Sequence, residues 1–416
     1  MSSEHHPSTL WVLLPLFFVL VIDAMGMAII LPIIGPLFMD PSHGILPATA
    51  SEHWRSFYYG LTLTVFFICM FFGAPFLGDL SDRYGRRKTI IICLFATAIS
   101  YLMCAIGIYF GSLVLLLLGR AFAGFMAGSQ PIAQAAIIDV SLPEEKTKNI
   151  ALITFASSLG FIIGPLLGGF FSGISYSSGF YVAGGLACIN GLFVLSVFKE
   201  TYQTREKTPI HLLKAISLLA AAFQHKELRI LSFIFFFTQL AWGLYFQFVS
   251  IFFVSAYHYS SMMIGLFLAS IAVVFGLTLT FLLRILMRFF SIRELALLAL
   301  SLISIGVFLD GFFHKEWLMW LTIIPTIIGV GLSYASMMTL YSNQVPQNQQ
   351  GWAMGVSSAT IAVAWILGGG VTAVVGVSFL KLPFIICGVS ALIGFFLLLK
   401  AHSLKKEHPF HESHSK

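Results

Sequence analysis

Gly78-Asp79-Leu80-Ser81-Asp82-Arg83-Tyr84-Gly85-Arg86-Arg87-Lys88 is a charged stretch clamped between two apolar runs, 58–77 and 89–109. Charge is scarce elsewhere: 10% of the 416 residues are charged and 58% are hydrophobic. An ordinary soluble domain carries roughly 25% charged residues. The mean hydropathy of +0.93 points the same way, and 42 Phe with 36 Gly suit helices packed closely in lipid. This composition excludes a soluble enzyme, a nucleic-acid-binding domain and a disordered chain. The pI near 9.0 then matters only for where the positive charges lie.

Working outward from 78–88, twelve apolar runs are long enough to span a bilayer, which takes about 20 residues each. They are 10–38, 58–77, 89–109, 112–139, 150–172, 179–198, 229–255, 262–283, 294–312, 318–341, 352–379 and 382–400. Lipid offers no hydrogen-bond partners, so each run is expected as a helix. No alternation of period two suggests a barrel. The first run is too long for a signal-peptide core and lacks a basic leader, so it is read as a retained helix. All five Cys lie inside apolar runs and read as small core residues.

With both termini cytoplasmic, the inner stretches hold 19 Lys and Arg, the outer loops hold Arg55, Lys315 and Lys381, and Arg120 lies inside the fourth run. That bias sets the orientation. The polar stretch 199–228 separates six runs from six. The expected organisation is an all-α membrane protein with two pseudo-symmetric six-helix bundles, 1–198 and 229–400. A linker at 199–228 and a polar cytoplasmic tail at 401–416 complete it. Within the linker, His211 to Phe223 reads as an amphipathic interfacial helix with His211 and Lys214 on its wet side.

A shift of 205 residues lays the second half on the first. Gly60 falls on Gly265, Arg83 on Arg288, Lys88 on Arg293 and Gly164 on Gly369. The stretch 283-LRILMRFFSIR-293 thereby matches 78–88, keeping basic residues and losing the acids and glycines. Related halves are a common transporter design, with substrate held where they meet near the membrane midplane.

The 78–88 stretch resembles the signature between the second and third helices of the major facilitator superfamily. Gly160-Phe-Ile-Ile-Gly164-Pro165-Leu-Leu-Gly168-Gly169 resembles the signature of its antiporter branch, mostly drug:proton exporters. Gly119-Arg120 with Gly124 and Gly128 resembles a third signature, associated with proton coupling. Ile22-Asp23-Ala24-Met25-Gly26 and Pro32 look like the first helix of the tetracycline exporters. The resemblance covers nearly the whole chain and implies the superfamily's fold and an antiport mechanism. It departs from the tetracycline exporters where they carry polar residues in helices 2, 3, 8 and 9; those positions align here with Met70, Ser100, Phe275 and about Ile303.

Asp23 and Arg120 are read as the two ionisable residues deep in apolar runs, with Asp139 at the inner end of the fourth. An ionisable group at a helix centre costs about 2.5–3.5 kcal/mol on insertion scales, so it marks function by default. No His lies in a run, which leaves carboxylates as proton carriers. Asp23 is expected to exchange a proton against cargo. Arg120 tunes Asp23, binds an anionic substrate, or pairs with Asp23 as a structural lock. The resemblance implies a charge network of Asp82, Arg83, Arg86, Arg87 and Asp139 that latches an outward-open state, with Lys146 able to join; a solvated positive anchor is the alternative. Gly78 and Gly85 are expected to permit a tight turn. Gly160, Gly164, Pro165, Gly168 and Gly169 form a small-residue stripe for close packing, with a kink or pivot at Pro165. Met27, Gln130, Gln134, Gln239, Trp242, Tyr245, Tyr334 and Trp365 are candidate cavity residues. Gln134, fourteen positions from Arg120, is placed on the same helical face.

No phosphate-binding GxxxxGK[ST] occurs, so ATP is not expected to power transport directly. The terminal histidines are too irregular for a metal site, and no nucleophile or acid pair suggests an enzyme. The expectation is a monomeric, proton-driven exporter of a small organic compound, drug-like or a siderophore, in the inner or plasma membrane. It needs no cofactor beyond the proton gradient and no nucleic acid. Uptake by the same fold and a non-transporting membrane receptor are the alternatives.

Overall fold

The computed structural model describes residues 9–139, 141, 146–201, 213–226, 228–313, 315–346 and 349–401, with the side chains of 9–12, 146–148, 150 and 151 outside that description. Every regular element among the described residues is helical. In chain order they are α1 (Thr9–Ala28), α2 (Leu31–Met39), α3 (Glu52–Tyr84), α4 (Arg86–Tyr109), α5 (Leu113–Met126), α6 (Ser129–Asp139), α7 (Lys146–Ser172) and α8 (Ser178–Val197). After the linker come α9 (Lys214–Gln224), α10 (Arg229–Tyr257), α11 (Ser261–Leu277), α12 (Leu283–Leu286), α13 (Ile292–Phe313), α14 (Glu316–Asn343), α15 (Gln350–Val375) and α16 (Leu382–Lys400). Among the described residues, twelve spans are long and apolar enough to cross a membrane, which makes this a multi-pass membrane protein.

Three local features differ from the run-by-run reading. The first span is broken at Ile29–Ile30, and α2 restarts with Pro32 in its first turn. The fourth span is broken at Ala127–Gly128, and α6 restarts with Pro131. Proline has no N–H to give the preceding turn, and its ring disfavours helix in the residue before it. The fourteen-residue spacing of Arg120 and Gln134 therefore does not run along one continuous helix. Third, the charged stretch is not a loop: α3 runs through Gly78 to Tyr84 and α4 starts at Arg86. A Cβ on Gly78 would meet nothing within 4 Å. The turn is Gly85 alone, at φ 104°, where a side chain would be strained.

The chain forms two compact units. One comprises Met1–Ala215, Gln247–Val273 and Thr372–Ser378; the other comprises Ile216–Phe246, Val274–Val371 and Phe379–Lys416. In the first, Leu16, Leu20, Ile90, Leu94, Ala133 and Val194 build a core between α1, α4, α6 and α8. In the second, Leu231, Phe235, Leu300, Leu340, Val356 and Leu398 do the same for α10, α13, α14, α15 and α16. The linker helix α9 begins at Lys214, and its Ala222 joins this second core. His211 lies outside the described residues, as do the terminal histidines.

Candidate functional site

Asp23 sits half-buried in α1, five residues before the helix ends. Ser129 Oγ, on the first residue of α6, donates to Asp23 Oδ2 at 2.6 Å. The break between α5 and α6 thus places a hydroxyl on the membrane acid. Arg120, in α5, is 1% exposed. Its guanidinium stands 4.2 Å from the centre of the Phe66 ring, and its Nε and Nη1 have no hydrogen-bond partner among the described residues. The two charges therefore form no ion pair with each other, and the structural-lock reading of Arg120 is set aside. Tyr101 of α4 is 4% exposed. Any Cβ at Gly26 would strike the Tyr101 hydroxyl, so a glycine lets the Tyr101 side chain reach α1. Met27 is half-buried one turn beyond Asp23. Gln130 Nε2 donates to Ser157 Oγ at 3.3 Å, and Gln134 is half-buried on α6.

At the α3–α4 junction, Arg86 gathers three partners. Its Nη1 pairs with Asp82 Oδ1 at 2.6 Å and donates to Ser81 Oγ at 2.6 Å. Its Nε reaches Asp139 Oδ2, at the end of α6, at 3.3 Å. Asp82, Arg86 and Asp139 thus form a connected network. Arg83 is exposed and lies over its neighbour Tyr84 instead. Arg87 donates to the Leu195 carbonyl at the end of α8. The side chain of Lys146 lies outside the described residues. Sequence reasoning missed two partners here. Glu200 accepts from the backbone N–H of Arg86 and Arg87 at 2.9 and 3.2 Å, a remote carboxylate on a helix N-terminus. Lys214 of the linker pairs with the buried Asp79 at 2.5 Å.

The glycine stripe on α7 packs on α1. Added methyls at Gly160, Gly164 and Gly168 would meet the carbonyls of Val21, Met25 and Ile29, each one turn apart. On the other side, Gly169 faces Ser261 and Met262 at the start of α11, and Gly265 of α11 faces the Pro165 carbonyl. Helix α7 runs unbroken through Pro165.

In the second unit, Trp365 Nε1 donates to Gln239 Oε1 at 3.2 Å, and Trp242 stacks on Tyr245. Tyr334 is 39% exposed. Here the reading of Asp23 and Arg120 as the only deep ionisable groups needs correction. Asp310 of α13 is 0% exposed, and it accepts from Tyr245 Oη at 3.1 Å and from the Thr322 hydroxyl. It lies three residues from the end of its helix, which reads as a boundary charge in sequence; packing by α14 and α16 buries it. Arg55 is a second correction. Counted as an outer loop charge, it is 3% exposed and donates to the carbonyls of Phe38, Pro47, Ala48 and Ala50, tying down the segment before α3.

A sequence model of the Major Facilitator Superfamily matches residues 16–369. The chain is 26% identical over 350 residues to the tetracycline resistance protein, class B, of Escherichia coli, covering 83% of this chain and 84% of that one. The crystal structure of the human organic anion transporter MFSD10 (TETRAN) is similar in fold, with TM-score 0.70 at 21% identity over 94% of this chain and 100% of that one. A D-xylose-proton symporter matches with TM-score 0.73 at 14% identity over 94% of this chain and 97% of its own. Fold and family are those of transporters, which are not enzymes. With its twelve membrane-length helices, its charged α3–α4 junction and its glycine-packed α7, this chain belongs to the Major Facilitator Superfamily.

Proposed function

We propose that the chain is a proton-coupled antiporter that exports a small organic compound, drug-like or a siderophore, by alternating access. It works as a monomer in the inner or plasma membrane, with both termini in the cytoplasm and the proton gradient as its energy source. One observation carries the reading: the carboxyl of Asp23 is held by a neutral hydroxyl and not by a cation. A carboxyl of this kind in a membrane helix is free to gain and lose a proton as its surroundings change. Arg120 supplies the other half. A buried guanidinium with unfilled donors favours an anionic or hydrogen-bond-accepting group on the cargo. Cargo and proton then compete through one field, which is a reciprocal coupling of two ligands. The likeness to a tetracycline resistance protein agrees with export of a drug-like compound. One charge crossing 100 mV supplies about 2.3 kcal/mol, adequate for modest accumulation. The network of Asp82, Arg86 and Asp139 serves as a two-state latch, since such networks switch between discrete arrangements.

The test is Asp23→Asn in proteoliposomes with an imposed proton gradient. Coupled flux of cargo should be lost while the protein inserts and unfolds as the wild type does. Unchanged coupled flux removes Asp23 from the mechanism. Wild-type protons and cargo moving in opposite directions support antiport; movement in the same direction means uptake.

A further inference from the structure

We propose that Asp310 is a second proton-binding carboxyl, held as the neutral acid by Tyr245 and Thr322 and exchanging its proton with water at the end of α13 away from the linker. The site lies wholly in the second unit and does not depend on the role of Asp23.

Three observations carry it. The carboxyl is fully buried, and it forms no ion pair among the described residues. A lone carboxylate in such a place must be neutralised, because neither solvent nor a cation among the described residues balances its charge. Among the described residues, its neighbours on every packed element are themselves uncharged. Tyr245 comes from α10 and Thr322 from α14, and from α16 the apolar Phe384 packs against Gly311, the next residue. The charged residues of those helices and of the turn before α14 (Arg229, Lys315, Glu316, Lys381 and Lys400) are exposed at helix ends. At the far end of α13, Arg293 and Glu294 are held by the α16 terminus and by Ser291. His314 lies outside the described residues.

The third observation is a count of protons on Thr322. Its Oγ1 lies within hydrogen-bond reach of Asp310 Oδ1, of the Leu318 carbonyl at 2.9 Å and of the Met319 carbonyl at 3.4 Å. A hydroxyl has one proton to donate and can also accept. With Asp310 neutral, the Thr322 bond runs in the opposite direction to that of the carboxylate: Asp310 donates from Oδ1 to Thr322 Oγ1, and Thr322 donates to Leu318. Tyr245 donates to Oδ2. Every donor then has an acceptor, and no charge is buried. On deprotonation the proton passes to water, and Thr322 turns its hydroxyl to the carboxylate and leaves Leu318 to its backbone partner. Thr322 thus serves both states by rotating one bond, and this reversibility separates a proton site from a fixed lock.

The test is infrared spectroscopy on the full chain in lipid, comparing wild type, Asp310→Asn and Asp23→Asn. At neutral pH the wild-type minus Asp310→Asn difference should contain a protonated-carboxyl C=O band. That band should shift in D2O, disappear on alkaline titration, and persist in Asp23→Asn. A difference holding only carboxylate bands overturns the proposal, and so does a C=O band that neither shifts nor titrates, which marks a fixed structural acid. Tyr245→Phe keeps the test open if Asp310→Asn does not fold. Loss of that donor should move the band to higher frequency; an unmoved band contradicts the assignment. None of these readings depends on transport, so failure here leaves the Asp23 reading standing, and the reverse.

Discussion

The stretches 78–88 and 283–293 occupy the same place in the two halves of the sequence, yet they are built differently. What they share is an anchor, displaced by one position under the 205-residue shift. Arg87 donates to the Leu195 carbonyl in the last turn of α8. Arg293 donates to the Leu398 and Leu399 carbonyls in the last turn of α16. In both, a guanidinium covers carbonyls that a helix end leaves unfilled. What they do not share is the acid network. The positions matching Asp82, Arg86 and Asp139 are Met287, Ser291 and Gln344, which cannot pair. Capping differs too. Ser291 and Glu294 cap α13 locally, whereas the distant Glu200 caps α4. A feature present in both halves is required to hold a helix in place; a feature present in one is free to do something else. The anchor is common to both stretches, and the acids are the part left over for the proposed latch.

Four substitutions sharpen or break this contrast. The largest effect is expected for Gly85→Val. Its φ of 104° is strained for any side chain, and its Cβ would press on the Glu200 carboxylate. A loss of about 1–3 kcal/mol follows, read as a lower unfolding temperature in detergent. Its counterpart Phe290→Gly should move that temperature far less; equal shifts would erase the distinction. Next comes Arg86→Gln. Its partners Asp82 and Asp139 are about one-third and one-quarter exposed (34% and 27%), so stability should change by less than about 1 kcal/mol. Cargo flux should nonetheless fall by on the order of tenfold, as a shift of about 1.4 kcal/mol between conformers would give. Wild-type flux in Arg86→Gln would reduce the network to a second anchor. The smallest functional effect belongs to Arg293→Gln. It should lose about 1 kcal/mol of stability while flux stays near wild type. A flux loss matching that of Arg86→Gln would mean that both stretches serve the cycle.

Much of the fold was legible in the residues. Hydropathy is a local property, so each run could be found from its own composition. The glycine stripe on α7 was legible because its period matches a helical turn. The repeat was legible only at single positions, and the structure shows why one of them persists. A Cβ at Gly60 would meet the backbone of Ala373, as one at Gly265 meets that of Pro165. Each glycine allows two backbones to touch.

The candidate site was legible in part. Asp23 and Arg120 stood out as charges inside apolar runs. The breaks in the first and fourth spans went unread although Pro32 and Pro131 announced them, and the second break is what delivers Ser129 to Asp23. Asp310 was overlooked because a charge three residues from a helix end ordinarily meets water. Only its partners at positions 245 and 322 mark it as buried, and their distance along the chain hides them from any pattern search.

The amino-acid order by itself determined that the chain lives in a membrane, how many times it crosses, and which residue types line each crossing. These follow from the transfer of side chains between water and lipid, a sum taken one segment at a time. The tertiary structure alone decided which charges are paired, which are not, and which hydroxyls attend them. Pairing depends on distances of about 3 Å between residues far apart in sequence, and no property of either residue taken alone contains that distance.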